Sequence, residues 1–305
     1  MLDLIVYIIF RGAIWLLNLL PLEARVSLLV AGLRVITLVR PKYLKFARQN
    51  LELAFPGERQ RQEQILEQSY ASLARIVVDI TRLHGITADW AKTHIDARAF
   101  LECMARARAG SNIGVLFATG HLGSFEMLAH VLSLVDRPFS FVVRPFKSKL
   151  IDAWWRRTRE ALGNKAISRD GAFREIIRML RRGIAVGVLF DQNVRREHGV
   201  FVPWFGRPAA TTKAFGYAAI STEAPVYASY LRYLSNDHYR IEIEEVPMAD
   251  LYTDVVLTKE QKVLKITERV SNVFQAMILG YPEGWFWMHR RWRTVPEGEK
   301  EDFYS

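Results

Sequence analysis

Short apolar runs alternating with helix-patterned segments constrain this chain more than any single motif. Residues 113–118 (IGVLFA) read as a buried strand, and a glycine-bearing turn, TGHLGS, leads from it into the helical pattern FEMLAHVLSLV. An apolar run at 139–143 precedes a basic helix over 149–162, and a helix over 171–182 precedes the strand IAVGVLFD at 184–191. After a loop at 192–210, a helix starts near Thr211 and Thr212. Strands come next near 225–233 and 239–246, then a long helix near 259–280. Upstream, 44–83 and 99–108 carry helical patterns, the first broken where Phe55-Pro56-Gly57 forces a turn. Repeated strand–helix–strand units predict an α/β fold, a largely parallel central sheet with helices on both faces. No internal repeat or long linker divides residues 41–305, which are expected to form one catalytic-sized domain.

The first forty positions differ in character. Residues 4–22 (LIVYIIFRGAIWLLNLLPL) approach the length needed to cross a bilayer, although Arg11, Asn18 and Pro21 interrupt them. Asp3 precedes the run, and neither a cationic start nor a small-residue cleavage site is present, so it makes a poor signal peptide. Residues 26–39 are also apolar, with Arg34 alone charged, and Arg40, Lys42, Lys45 and Arg48 come closely after. An apolar start with a basic flank is expected to be an N-terminal hydrophobic helical membrane anchor over 1–40, its downstream side facing the cytoplasm. The alternative is a helical hairpin packed on the remaining chain.

Composition removes several classes. Forty-two Lys+Arg against 32 Asp+Glu give +10, a basic surface suited to nucleic acid, anionic lipid or an acidic carrier protein. A single cysteine, Cys103, excludes an intramolecular disulfide framework and any multi-cysteine metal site. There is no G-x-S-x-G elbow, no phosphate loop and no H-E-x-x-H helix, which counts against serine hydrolases, kinases and zinc peptidases. No metal or organic cofactor is expected.

Directly after the first apolar run stands Thr119-Gly-His-Leu-Gly-Ser-Phe-Glu126. His121 falls at a strand's carboxyl end, where open α/β sheets place their ligands. Glu126 comes five positions later, which on an unbroken helix would separate the two side chains by about 140°. Gly120 and Gly123 permit a bend that returns the imidazole to the carboxylate. A carboxylate on one ring nitrogen fixes the tautomer and makes the other a better base, and with no nucleophilic elbow nearby its natural task is to deprotonate a substrate hydroxyl. That pair argues against a non-enzymatic binding module for nucleic acid.

With these residues in place, the sequence resembles the late acyltransferases of lipid A biosynthesis, within the lysophospholipid and glycerophosphate acyltransferase superfamily. The resemblance begins with the apolar N-terminus and the segment Arg48-Gln-Asn-Leu-Glu-Leu-Ala-Phe-Pro56. It continues through His121 to Glu126, Val143-Arg144-Pro145 with Asp152 and Arg159, and Phe190-Asp191-Gln192-Asn193. Val200-Phe-Val-Pro-Trp-Phe-Gly206, Ala210-Thr-Thr212, Pro282-Glu283, Trp287-Met-His-Arg-Arg291 and Pro296-Glu-Gly298 complete it. It implies a glycerophosphate-acyltransferase-like fold on the cytoplasmic face of a cell inner membrane. The reaction it implies is transfer of a fatty acyl chain from acyl carrier protein to a hydroxyl of a lipid A precursor or related glycolipid. A glycerophospholipid or ornithine-type acceptor is the alternative. By the same resemblance His121 is the general base, Glu126 its orienting partner, and Arg144, Arg159 and Asp191 are substrate-binding positions.

A thioester is already activated, so such an enzyme needs a base, placement, and oxyanion stabilisation from turn amides or a nearby Arg. Lys147, Lys149, Arg156 and Arg157, with Arg195, Arg196, Arg290, Arg291 and Arg293, could add a surface for phosphate or an acidic carrier. His198 and His289 are read as structural or surface residues.

Overall fold

The computed structural model describes residues 1–169, 171–298 and 303–304. The chain opens with helices α1 (Leu2–Asn18), α2 (Leu22–Val39), α3 (Lys42–Ala54) and α4 (Arg59–Arg82), then α5 (Ala88–His94), β1 (Ile95–Asp96) and α6 (Arg98–Gly110). The alternating region is β2 (Leu116–Thr119), α7 (Phe125–Val135), β3 (Ser140–Val143), α8 (Lys149–Glu160), β4 (Lys165–Ser168), α9 (Ala172–Arg181) and β5 (Val186–Leu189). A hairpin of β6 (Gly199–Trp204) and β7 (Arg207–Thr212) comes after it. The chain continues with α10 (Lys213–Thr222), β8 (Val226–Tyr233), β9 (Tyr239–Val246), α11 (Ala249–Thr253) and α12 (Lys259–Gly280).

Local chemistry sets several of these boundaries. Pro56 and the left-handed Gly57 end one helical run and let the next begin at Arg59. Thr258 and Gln261 cap α12 reciprocally, satisfying donors that the first turn leaves without partners. The Thr212 hydroxyl accepts from Ala214 N and opens α10.

Seven strands form one sheet in the order β1-β9-β8-β2-β5-β3-β4, with the β6–β7 hairpin separate. All neighbouring pairs in the sheet are parallel except β8–β9. Successive residues of a strand point to opposite faces, so one strand feeds two cores. On β2, Leu116 and Ala118 enter a core with α3, α9, α10 and α12, while Phe117 enters a second with α5, α6 and α7. The expected mostly parallel, two-faced sheet is therefore present. Its strands β1 and β4, and the hairpin inside the expected 192–210 loop, were not apparent in the sequence.

The expected N-terminal membrane anchor is not. Among the described residues, no helix is long and apolar enough to cross a membrane. The 4–22 run is not one helix: α1 stops at Asn18, and its 17 residues span about 25 Å, short of a hydrocarbon core of about 30 Å. The cause is local. Asn18 Oδ1 accepts from Arg25 and its Nδ2 donates to Thr81 O at 3.1 Å, fixing the turn before α2. Both helices pack on the rest of the chain, as in the hairpin alternative. Phe10 meets Trp154 of α8 edge-on at 5.3 Å, and the Thr37 hydroxyl lies 2.8 Å from that of Tyr70 on α4. This finding also overturns the expected anchoring at the cytoplasmic face of an inner membrane. Leu4, Ile8, Trp15 and Leu38 are nonetheless exposed.

Candidate active site

Strands β2 and β5 are neighbours in parallel register, with Thr119 opposite Leu189. Two residues beyond each strand stand His121 and Asp191, so equal overshoot at a shared sheet edge brings them together. His121 Nδ1 lies 2.9 Å from Asp191 Oδ1, and His121 N donates to Asp191 Oδ2 at 2.8 Å. Trp285 Nε1 donates to Oδ2 at 2.9 Å, so each carboxylate oxygen is held. Asp191's side chain is 2% exposed and His121's is 21%, so the imidazole is the member a substrate can reach.

The electrostatics match this geometry. Burial alone would push the Asp191 carboxyl up, but the charge and hydrogen bonds of His121, with Trp285, hold it at about 2. Burial likewise works against a charged His121. The Asp191 charge and hydrogen bond, and then the Glu126 charge, outweigh it and raise His121 above its ordinary value. An ionised carboxylate only accepts hydrogen bonds, so Nδ1 carries the proton and Nε2 keeps its lone pair. Gln192 Nε2 donates to that nitrogen at 3.1 Å. The site thus leaves Nε2 of His121 as the accepting nitrogen, its lone pair held by the Gln192 amide where a substrate hydroxyl would have to replace it.

This corrects the expected pairing of His121 with Glu126. The turn does bend, with Gly123 left-handed, but it delivers the imidazole to Asp191 across the sheet. Glu126, in the first turn of α7, is instead clasped by Arg159 of α8, whose Nε and Nη2 donate to its two oxygens, the former at 3.0 Å. Arg159 also lies 5.0 Å from the Trp155 ring. Glu126 reaches His121 only through its charge. Arg144, expected with this group, lies just past β3 and is exposed.

Other expectations change too. Three of the turn amides expected as oxyanion donors are engaged: beside His121 N, Gly123 N donates to Gly284 O at 3.0 Å and Ser124 N to Leu231 O at 3.0 Å. Arg291 is not a surface phosphate ligand. It is fully buried, donates to Ala210 O at 2.7 Å and to the Thr211 hydroxyl, and lies 4.5 Å from the Trp204 ring. Burial pulls its guanidinium down to about 9 against the Asp191 charge, and burial also pulls His289 down to about 4. Trp285, Trp287 and Trp292 are all core residues.

Sequence reasoning missed Trp285 and Gln192 as contacts of the pair, and it missed Asp79. This fully buried acid on α4 accepts from the Ser124 hydroxyl at the start of α7 and from Tyr239 OH at 2.7 Å. Beside the pair, α7 and the sheet enclose an apolar cleft. Phe117, Phe141, Gly187 and Leu189 form its sheet wall, Leu128, Ala129 and Leu132 its helix wall, with Glu126 and Arg159 at the mouth. Its empty volume, counting the space open to solvent at the mouth, is about 530 Å³.

The site is thus a partly exposed imidazole backed by a buried carboxylate, at the carboxyl edge of a parallel sheet and beside an apolar cleft, an arrangement suited to base chemistry. The family profile described as "Bacterial lipid A biosynthesis acyltransferase" matches residues 1–294. The chain is 28% identical over 300 residues to the lipid A biosynthesis palmitoleoyltransferase of Escherichia coli (strain K12), covering 94% of this chain and 91% of that one. It is 26% identical over 264 residues to a lipid A biosynthesis acyltransferase of Haemophilus influenzae, covering 85% and 78%. With the lipid A biosynthesis lauroyltransferase of Escherichia coli (strain K12) it shares 25% over 294 residues, covering 94% and 91%. The chain belongs to the bacterial lipid A biosynthesis acyltransferase family, and it is an enzyme of acyl transfer.

Proposed function

We propose that this enzyme moves a fatty acyl chain from the thioester of acyl carrier protein to a hydroxyl of a lipid A precursor, with His121 as general base and Asp191 as the residue that orients it. The observation that carries the reading is the 2.9 Å contact between His121 Nδ1 and Asp191, which leaves Nε2 as the accepting nitrogen once a substrate hydroxyl replaces the Gln192 amide on it. Nε2 takes the hydroxyl proton as the oxygen attacks the thioester carbonyl. The tetrahedral intermediate then expels the carrier thiolate, which recovers the proton from the imidazolium. Asp191 stays ionised throughout and favours the imidazolium that forms in between.

Glu126 and Arg159 take a positioning role at the cleft mouth, and Arg144 an anion-binding role. Lys147, Lys149, Arg156 and Arg157 are exposed beside them, which suits a donor carried on an acidic protein. The test is to incubate the purified enzyme with acyl thioesters of carrier protein and of coenzyme A, each with a lipid A precursor or a glycerophospholipid, and to weigh the products. Acylated lipid A precursor formed faster from the carrier-protein donor is the expected result. Product only on the glycerophospholipid, or a preference for coenzyme A, would overturn it.

A further inference from the structure

We infer that the apolar cleft under α7 receives the acyl chain and that Phe139, held over Gly187, is the stop that sets the chain length accepted. This rests on the acyl-transfer reading above and adds to it the determinant of donor specificity.

The cleft exists because of one missing side chain. Residues of β2, β5 and β3 that share the α7-facing side of the sheet are Phe117, Gly187 and Phe141, so a glycine stands between two phenylalanines. Glycine in a central strand costs packing and marks a place where something else comes close. On the helix side, Leu128, Ala129 and Leu132 form a stripe at spacings that share one face, with the small Ala129 at its middle. The walls are therefore long and apolar, which suits a slender unbranched chain that parts the side chains as it enters.

The two ends differ. Toward the catalytic edge the lining is Thr119, Glu126, Val143, Arg159 and Leu189, none of it fully buried. At the opposite end Phe117, Leu132 and Phe139 are buried. Phe139 directly precedes β3, and a Cβ on Gly187 would meet the edge of its ring at 3.3 Å. A second cavity is lined by Pro138, Ser140, Lys165 and Met179, and Phe139 is the residue it shares with the first. Its ring thus stands at the buried end of the cleft against Gly187: truncating it lengthens that space, and a methyl on Gly187 fills part of it.

These relations make opposite predictions for two substitutions. Full-length Phe139→Ala and Gly187→Ala enzymes are assayed against carrier-protein thioesters graded in chain length, and kcat/KM is compared with wild type for each donor. Phe139→Ala should raise the ratio of the longer donor to the one wild type prefers by about tenfold or more, the scale set by one methylene in an apolar pocket. Gly187→Ala should shift the ratio as far toward shorter donors. Phe139→Leu, which keeps an apolar group in the wall, gives an intermediate shift and covers the case in which the alanine variant does not fold. Length ratios unchanged in Gly187→Ala and Phe139→Leu overturn the assignment. Loss of the acyl-transfer reading itself is separately visible, as no acylated lipid formed by the wild-type enzyme from a donor of any length.

Discussion

No side chain fits at Gly120 while Asp191 keeps its place. A Cβ there would lie 2.8 Å from the Asp191 carboxyl carbon and 2.5 Å from the Phe274 ring. The glycine beside His121 is thus a steric requirement of Asp191, the acid that pairs with His121 from seventy residues along the chain. Gly120→Ala should destabilise the fold by about 1–3 kcal/mol through overpacking, and cut acyl transfer by far more than that loss of folded enzyme explains. Denaturant unfolding together with kcat on the folded fraction reads both. Wild-type kcat in the folded variant would contradict the account.

The same pair sets a pH dependence. The proposed mechanism needs neutral His121, whose value is raised, so kcat/KM should climb with pH through a midpoint above 6.5. The pair's contribution to stability runs the other way at that end. It is fully present below the ordinary histidine value and is lost as pH rises through the folded-state value. At the acid end, stability from Asp191 is present above its ordinary value of 3.8 and is lost as pH falls towards about 2. Asp191→Asn removes the charge that raises His121, so the rate profile should move to lower pH while its plateau drops about 10²–10⁴-fold. A profile with an unmoved midpoint would count against the pairing.

Glu126 and Arg159 should behave as one unit. Their two-pronged contact lies with both side chains mostly buried, at 15% and 13% exposure. Glu126→Gln and Arg159→Ala should each lower activity at least about tenfold, and the double variant should be no worse than the poorer single. Arg159→Lys should not rescue, since an ammonium lacks the planar fork that grips both oxygens. Additive losses in the double-mutant cycle would separate their roles.

Asp79 anchors the start of α7 from behind. Asp79→Ala leaves Ser124, Tyr239 and Arg82 without a shared acceptor in the core and should cost about 3–5 kcal/mol in urea unfolding. Asp79→Asn, keeping an acceptor oxygen, should cost less. A cost below about 1 kcal/mol for the alanine variant would show that α7 is held by packing alone.

The strands and long helices were legible because their apolar runs and periods are local. The expected 239–246 strand and 259–280 helix match β9 and α12. The β6–β7 hairpin was hidden by Pro203 and Gly206, which read as loop punctuation, and β4 (KAIS) is too short and mixed to stand out. His121 stood out for its place at a strand's end. Its partner was misassigned because sequence proximity favoured Glu126, whereas Asp191 approaches only through the pairing of β2 with β5. One signal was available: both residues lie at the carboxyl ends of predicted strands in a sheet expected to be parallel. The apparent membrane-length run failed for a related reason, since hydropathy summed over 4–22 does not register that Asn18 stops α1.

The most direct measurement is the single-turnover rate of acyl transfer to the acceptor lipid by folded His121→Ala, with donor and acceptor saturating. A fall of at least about 10²-fold with the thermal melt little changed is the predicted result. Transfer within a few-fold of wild type would show that another group takes the proton.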